Sequence, residues 1–231
     1  MKNIAIIPAR GGSKRIPRKN VIDFKGKPMI AWTIEAAVSS GIFSKVLVST
    51  DCEEIASISR DFGAEVPFLR QGNSDDFTAV SEATCDALIQ AENYWSVNFD
   101  TVTQLMANCP LRTARDIQSF YSEFVARDSD FLLSCFKFGW MNPWWSFRMD
   151  DQNKHSFLFN DALTARSQDL EDLFCPTGSI WIAKAKSLKA TRSFHSEYGQ
   201  FYEVNWISAV DIDDEDDMNF AKSIVVPIND P

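Results

Sequence analysis

Histidine is nearly absent from this 231-residue chain: there are two, His155 and His195, both in stretches that read as loop. That scarcity argues against Ser-His-Asp or Cys-His nucleophilic catalysis, which needs an imidazole oriented by its neighbours. The five cysteines (Cys52, Cys85, Cys109, Cys135 and Cys175) are odd in number and widely spaced, and no C-x-x-C pair occurs. Neither a disulfide framework nor a structural zinc site fits that pattern, and a reduced, cytoplasmic protein is expected. No run approaches the roughly 18 apolar residues of a membrane span. The opening apolar run, Ile4 to Ile7, is too short for a secretory leader and breaks at Pro8. Positive charge is also in deficit, with 23 Lys and Arg against 32 Asp and Glu and a net charge of −9. Nucleic acid is therefore not an expected partner, because its phosphates would be repelled outside any local basic patch. Two common nucleotide-binding patterns, G-x-G-x-x-G and G-x-x-x-x-G-K-[ST], do not occur.

What is present begins at the first strand. Ile4 to Ile7 reads as a short buried strand, and the loop after Pro8 carries Gly11, Gly12 and five cations, Arg10, Lys14, Arg15, Arg18 and Lys19. Glycines let backbone N–H groups turn toward a ligand, and Arg and Lys supply the charge a polyphosphate needs. In an acidic chain, such a concentration of cations at the carboxyl edge of a sheet points to a phosphate cradle. Hydrophobic content of 45% and charged content of 24% fit one globular domain over residues 1–231. Helices are expected over Met29–Ser40, Glu53–Phe62, Ala79–Glu92 and Asp116–Arg127, with a last one from about Glu215 to Ile224. Strands are expected over Val46–Asp51, Thr101–Met106, Phe131–Phe136, Gly178–Ile182 and Ala209–Asp213, with a short extended piece at Val66–Arg70. That alternation predicts an α/β fold, a three-layer doubly wound and mainly parallel sheet.

The rhythm breaks over residues 139–161, where Trp140, Pro143, Trp144, Trp145 and Phe147 precede a polar, hairpin-like stretch, Met149–Lys154. An aromatic cluster in an irregular insertion either belongs to the core or forms an exposed apolar surface that takes a partner. Near the other end, Asp211 and Asp213 would share one face of a strand, because side chains alternate with period two. Two carboxylates so placed suit Mg²⁺, which takes hard oxygen ligands and shares its shell with substrate phosphates. Asp214, Glu215, Asp216 and Asp217 read instead as the acidic first turn of the last helix.

The stretch Ile6 to Asn20 closely follows I-x-P-A-R-x-G-S-K-x-I-x-x-K-N and so resembles the N-terminal signature of the acylneuraminate cytidylyltransferases. Lys19-Asn20-Val21 stands where related octulosonate enzymes carry Lys-Pro-Leu, which favours the nonulosonic branch. Asp211-Ile212-Asp213 is similar to the family's metal-binding D-I-D motif. The resemblance implies a nucleotide-diphospho-sugar transferase type of fold and transfer of CMP from CTP to the anomeric hydroxyl of a sialic-acid-like 2-keto-3-deoxy acid. Pseudaminic, legionaminic and shorter keto-deoxy acids are alternative acceptors. It also implies a homodimer in which residues 139–161 close the neighbour's sugar site.

By the same resemblance, Ala9, Arg10, Gly12, Ser13, Lys14, Lys19, Asn20 and Arg70 bind the nucleotide, and Arg10, Lys19, Asp211 and Asp213 carry catalysis with Mg²⁺ held by the aspartates. Met106 replaces the family's sugar-contacting Gln, which points to a deoxy or N-acylated sugar position, and leaves Gln104 as the candidate contact two residues earlier. Arg166 and Gln168 lie in a segment similar to the family's Arg-Gln-Asp-Leu, and Arg166 offers a bidentate fork for the substrate carboxylate. Two competing readings remain. A nucleotide-sugar glycosyltransferase also uses a D-x-D motif, and a non-catalytic nucleotide-binding protein could share the fold.

Overall fold

A computed structural model of the chain describes residues 1–13, 15–70, 79–197 and 199–224. The first half runs β1 (Asn3–Pro8), a 3-10 turn (Lys19–Val21), β2 (Asp23–Phe24), β3 (Lys27–Pro28), α1 (Met29–Ser39), β4 (Lys45–Ser49), α2 (Glu53–Asp61), α3 (Val80–Trp95) and β5 (Thr101–Gln104). The second half runs α4 (Ala114–Ala126), β6 (Phe131–Lys137), β7 (Phe147–Met149), β8 (His155–Phe157), β9 (Phe174–Lys184), α5 (Ala185–Thr191), β10 (Gln200–Glu203) and α6 (Glu215–Ser223).

Six strands form the central sheet in the order β10-β6-β9-β5-β1-β4. The pairs β1–β4, β1–β5 and β6–β10 are parallel, whereas β9 runs antiparallel to both β5 and β6. The sheet is therefore mixed, with helices on both faces. Alternation along β1 sends Ala5 and Ile7 into one core with Ile30 and Ile34 of α1, Ile55 of α2 and Phe120 of α4. Ile4 and Ile6 point the other way, into a core with Leu88 of α3 and Leu188 of α5. From β1 the chain crosses to β4 on one side and later returns to β5 on the other. The carboxyl end of β1 is thus a topological switch point, the crevice where open α/β sheets bind ligands. The cationic loop starts there.

The expected strand over Ala209–Asp213 does not form. Residues Trp206 to Ala209 make a turn, and the segment of residues 210–213 has no regular structure and joins no strand of the sheet. It is held instead by single contacts, one of them the Ile212 N–H to the Asn108 carbonyl at 2.9 Å. The alternation survives without the ladder, since Ile212 is fully buried and both flanking aspartates reach solvent. Ile212 sits in a third apolar cluster with Ile16 of the cationic loop, Phe24, Met29, Leu111 and Met218 of α6. Burying one such side chain contributes about 1.5–3 kcal/mol, and here it also pins the two chain ends together. Helix α6 starts with a reciprocal capping box between Asp214 and Asp217, and the Asp217 carboxylate accepts the Asp213 N–H at 2.9 Å. The acidic run after Asp213 is thus a helix cap, and it fixes the backbone that presents Asp213.

The Val66–Arg70 piece makes no strand, although Glu65 just before it bridges Leu47. The aromatic excursion occupies the whole chain between Lys137 and Phe174, with the β7–β8 hairpin at its centre. Trp144 is half-buried: its indole N–H donates to the Glu171 carbonyl at 2.8 Å and its ring packs on Phe159 with centroids 5.0 Å apart. Trp140, Met141, Phe147 and Met149 are exposed, Trp140 by 86%. Among the described residues no helix is long and apolar enough to cross a membrane.

Candidate active site

The loop after β1 is tied to β4 and its following turn. Ala9 N–H donates to the Ser49 carbonyl at 2.9 Å, and Gly11 N–H donates to the Asp51 carboxylate at 2.7 Å. Gly11 must be glycine, because a Cβ there would lie 2.9 Å from the Cys52 Cβ. Gly12, by contrast, faces open space. Asn20 is buried, and its side-chain amide holds the Arg10 carbonyl at 3.0 Å, so it shapes the loop from beneath. Arg18, in the left-handed region at φ 56°, turns the chain into the 3-10 turn that carries Lys19.

That turn aims Lys19 at the other chain end. Its ammonium donates to the Ile212 carbonyl and to Asp213 Oδ1, both at 2.9 Å. Arg15 reaches the second oxygen, with Nη2 2.7 Å from Asp213 Oδ2. Lys19 is only 15% exposed and Arg15 64%, so the first pair is the stronger anchor and the second is more screened. Desolvation pushes the Asp213 carboxyl up, but the bonds and charges of Lys19 and Arg15 outweigh it and hold its pKa below the usual range.

Asp211 behaves in the opposite way. One side of the residue is open to solvent, but protein packed around the carboxyl desolvates it. Together with the facing charge of Asp213, that raises its pKa from 3.8 to about 6, against the pull of Lys19. Its protein partner is Asn108, whose amide nitrogen donates to Asp211 Oδ1. Two close carboxylates, one of them poorly compensated, suit a hard divalent cation, which removes the repulsion that raises the Asp211 pKa. Among the described residues no group of three or more His, Cys, Asp or Glu is placed to share a metal. A cation here would complete its shell with substrate oxygens, as Mg²⁺ commonly does.

Arg70 lies across the same edge. Its N–H donates to the Thr50 carbonyl at 2.7 Å, and its side chain feels the charges of Asp51 and Arg10. Burial lowers its pKa, and its Nε is a buried donor with no acceptor among the described residues. Such an orphan donor beside a phosphate-type loop is ready for a ligand acceptor.

Contacts tie Ala9, Arg10, Lys19, Asn20, Arg70, Asp211 and Asp213 into one region beyond the ends of β1 and β4, with Gly12 and Ser13 in the same loop, whereas Lys14 is outside the described residues. The expected sugar-side residues are dispersed. Gln104 is fully buried, its Oε1 accepting from Thr84 Oγ1 at 2.7 Å and its Nε2 3.9 Å from the Met106 sulfur. Arg166 and Gln168 sit exposed on a 3-10 turn of the excursion, Arg166 paired with Asp169 at 2.8 Å. Among the described residues neither bonds to the cationic loop or to the aspartates. Arg15 and Asn108 were not among the sequence-derived site residues. Arg15 was visible only as one loop cation among five, and nothing local marks Asn108, whose partners lie 103 residues or more away.

Strand order, switch-point loop and twin carboxylates together define a nucleotide-binding transferase of α/β type. A family model described as Cytidylyltransferase matches residues 4–224, and the chain belongs to that family. The pseudaminic acid cytidylyltransferase of Campylobacter jejuni is 35% identical over 226 residues, covering 96% of this chain and 95% of that protein. A CMP-N,N'-diacetyllegionaminic acid synthase of Legionella pneumophila is 34% identical over 228 residues, covering 92% and 91%. Among solved structures, a CMP:2-keto-3-deoxy-manno-octonic acid synthetase complexed with CTP aligns with a TM-score of 0.68 at 17% identity, covering 96% of this chain and 98% of that one. At that identity the likeness concerns the fold alone.

The Asp211 pKa makes a prediction for the ligand-free protein. A folded value near 6 against an ordinary 3.8 means that folding disfavours the ionised form. The stability contribution is complete below about pH 4 and is lost as pH rises through about 6. Asp211→Asn, which keeps an acceptor for Asn108, should therefore melt higher than the parent above pH 7 and converge with it below pH 4 in thermal scans. A variant that melts lower than the parent throughout that range would contradict the assignment.

Proposed function

We propose that this cytidylyltransferase transfers CMP from CTP to the anomeric hydroxyl of a nonulosonic, sialic-acid-like 2-keto-3-deoxy acid, releasing pyrophosphate. The observation that carries the reading is the meeting of the phosphate-type loop and the Asp211–Asp213 pair through Lys19 and Arg15. Arg10, Lys19 and the loop backbone at Gly12 and Ser13 would bind the triphosphate, and the buried Arg70 donor would meet the cytidine side. Asp211 and Asp213 would hold Mg²⁺, which when bound neutralises phosphate charge and supplies Lewis acidity. The acceptor hydroxyl would then attack the α-phosphorus in line. Positioning and charge neutralisation do most of the work in such displacements, which fits a site without histidine.

The acceptor class rests on the names of the Campylobacter and Legionella relatives. Their near full-length coverage supports pseudaminic and legionaminic acids as acceptors. The Gln104 amide is already engaged, and a Cβ at Gly178 would lie 3.0 Å from Met106 Cγ, so Met106 packs directly over that strand. A thioether at this position suits a deoxy or N-acylated part of the sugar better than a bare hydroxyl. All five cysteines are free, in keeping with a reducing cytoplasm. The decisive assay is pyrophosphate release from CTP and Mg²⁺ across a panel of such acids. Turnover is expected with at least one nonulosonic acid, and Asp211→Asn should lower it on the order of a thousandfold. Binding of CTP with no turnover on any acid would leave a nucleotide-binding protein of the same fold.

We further propose a homodimer built on the excursion between Lys137 and Phe174. Trp140, Met141, Phe147 and Met149 expose apolar surface that one hairpin leaves uncovered. Burying it against a second copy gains about 25 cal/mol per Å² before association costs, and twofold dimers are the usual outcome. Trp144 is a poor probe, since it already packs within its own chain. Trp140→Ser with Phe147→Ser should convert the dimer to monomer in sedimentation at micromolar concentration and weaken turnover of the sugar acid while CTP still binds. A parental monomer with full activity would refute the proposal.

A further inference from the structure

The turn after β5 brings one residue to the carboxylate pair from across the chain. Asn108 is 6% exposed and lies between Met106 and Pro110. Its backbone carbonyl accepts the Ile212 N–H at 2.9 Å. Its side-chain nitrogen contacts three oxygens, Asp211 Oδ1, the Ile212 carbonyl at 3.4 Å and Asp213 Oδ1 at 3.4 Å. Its side-chain oxygen, also buried, has no partner among the described residues. An amide that left an acceptor unsatisfied merely to fill space could turn over and exchange its ends. Here, turning over would set an oxygen against two carboxylates, so the orientation is committed to what the N–H₂ group does.

The turn itself is rigidly seated. Arg112 is almost wholly buried, donating through Nη2 to the Met106 carbonyl at 3.3 Å and to Thr33 Oγ1 at 2.9 Å, and through Nη1 to the Ser179 carbonyl. α1, the β5 turn and β9 therefore meet at one guanidinium, two residues beyond Pro110. The turn that carries Asn108 is thereby tied to both neighbouring elements.

We propose that Asn108 is a positioning residue for the proposed cation seat: its amide holds the Asp211 and Asp213 carboxylates convergent when no cation is bound. The inference rests on the metal reading above and extends it to a residue that does not itself touch the reacting atoms. An outer partner of this kind typically contributes 10–100-fold to metal affinity.

The test titrates Mn²⁺ into the protein without nucleotide, followed by electron paramagnetic resonance, for the parent, Asn108→Ala and Asp211→Asn. Asn108→Ala is expected to bind Mn²⁺ about tenfold or more weakly. It should raise the Mg²⁺ concentration for half-maximal turnover by a similar factor, with kcat recovering at saturating Mg²⁺. A general packing defect would lower kcat at every Mg²⁺ concentration and so overturn the positioning role. Asn108→Ser, which keeps a hydroxyl donor, replaces the alanine variant if that one does not fold. Parent and Asn108 variants binding Mn²⁺ equally, with Asp211→Asn weaker, would overturn this proposal alone. A parent that binds Mn²⁺ no better than Asp211→Asn would overturn the metal reading with it.

Discussion

Everything at this sheet edge depends on Asp213 being held by two cations of a loop nearly two hundred residues away in sequence. Lys19 and Arg15 each take one of its oxygens, at 2.9 Å and 2.7 Å. The bridge joins the switch-point loop to the segment ahead of α6, and Ile16 and Ile212 cement it from below in a shared apolar cluster. An exposed pair such as Arg15–Asp213 is worth little by itself. The largely sheltered Lys19 and the buried isoleucines make the contact persistent.

That arrangement also reconciles a chain of net charge −9 with a polyanionic substrate. Without ligand, the loop cations are partly balanced by Asp213. In the proposed reaction they pass to the triphosphate as the aspartates pass to a cation, so charge is exchanged rather than newly buried. Among the described residues Asp211 takes no direct bond from these cations, and desolvation together with the facing charge of Asp213 pushes its carboxyl up to about 6. A functional group kept slightly unfavourable in the free protein is a usual signature of a site whose ligand completes it.

Much of this was legible in the sequence because it is local. The apolar run at β1, the paired glycines and the cations announced the loop, and helical periodicity located α1 to α4 within a few residues. The alternation around Ile212 placed both aspartates on the solvent side even though the strand inferred from it is absent, because one buried anchor enforces the pattern as well as a ladder does. What stayed hidden depends on distant partners. β9 runs antiparallel in an otherwise parallel arrangement, a fact of topology rather than of residue pattern. Asn108 and Arg112 look like ordinary turn residues until the chain closes over them. Gln104 read as a sugar contact by its strand face, yet Thr84 and Met106 engage it from above.

The exchange of partners at Asp213 is the central claim, and calorimetric titration of CTP with and without Mg²⁺ on Asp213→Asn tests it most directly. Freed from the carboxylate, Lys19 and Arg15 should bind metal-free CTP more tightly than in the parent, while the gain in affinity that Mg²⁺ gives the parent disappears. Weaker metal-free binding in the variant, or an undiminished response to Mg²⁺, would contradict the account.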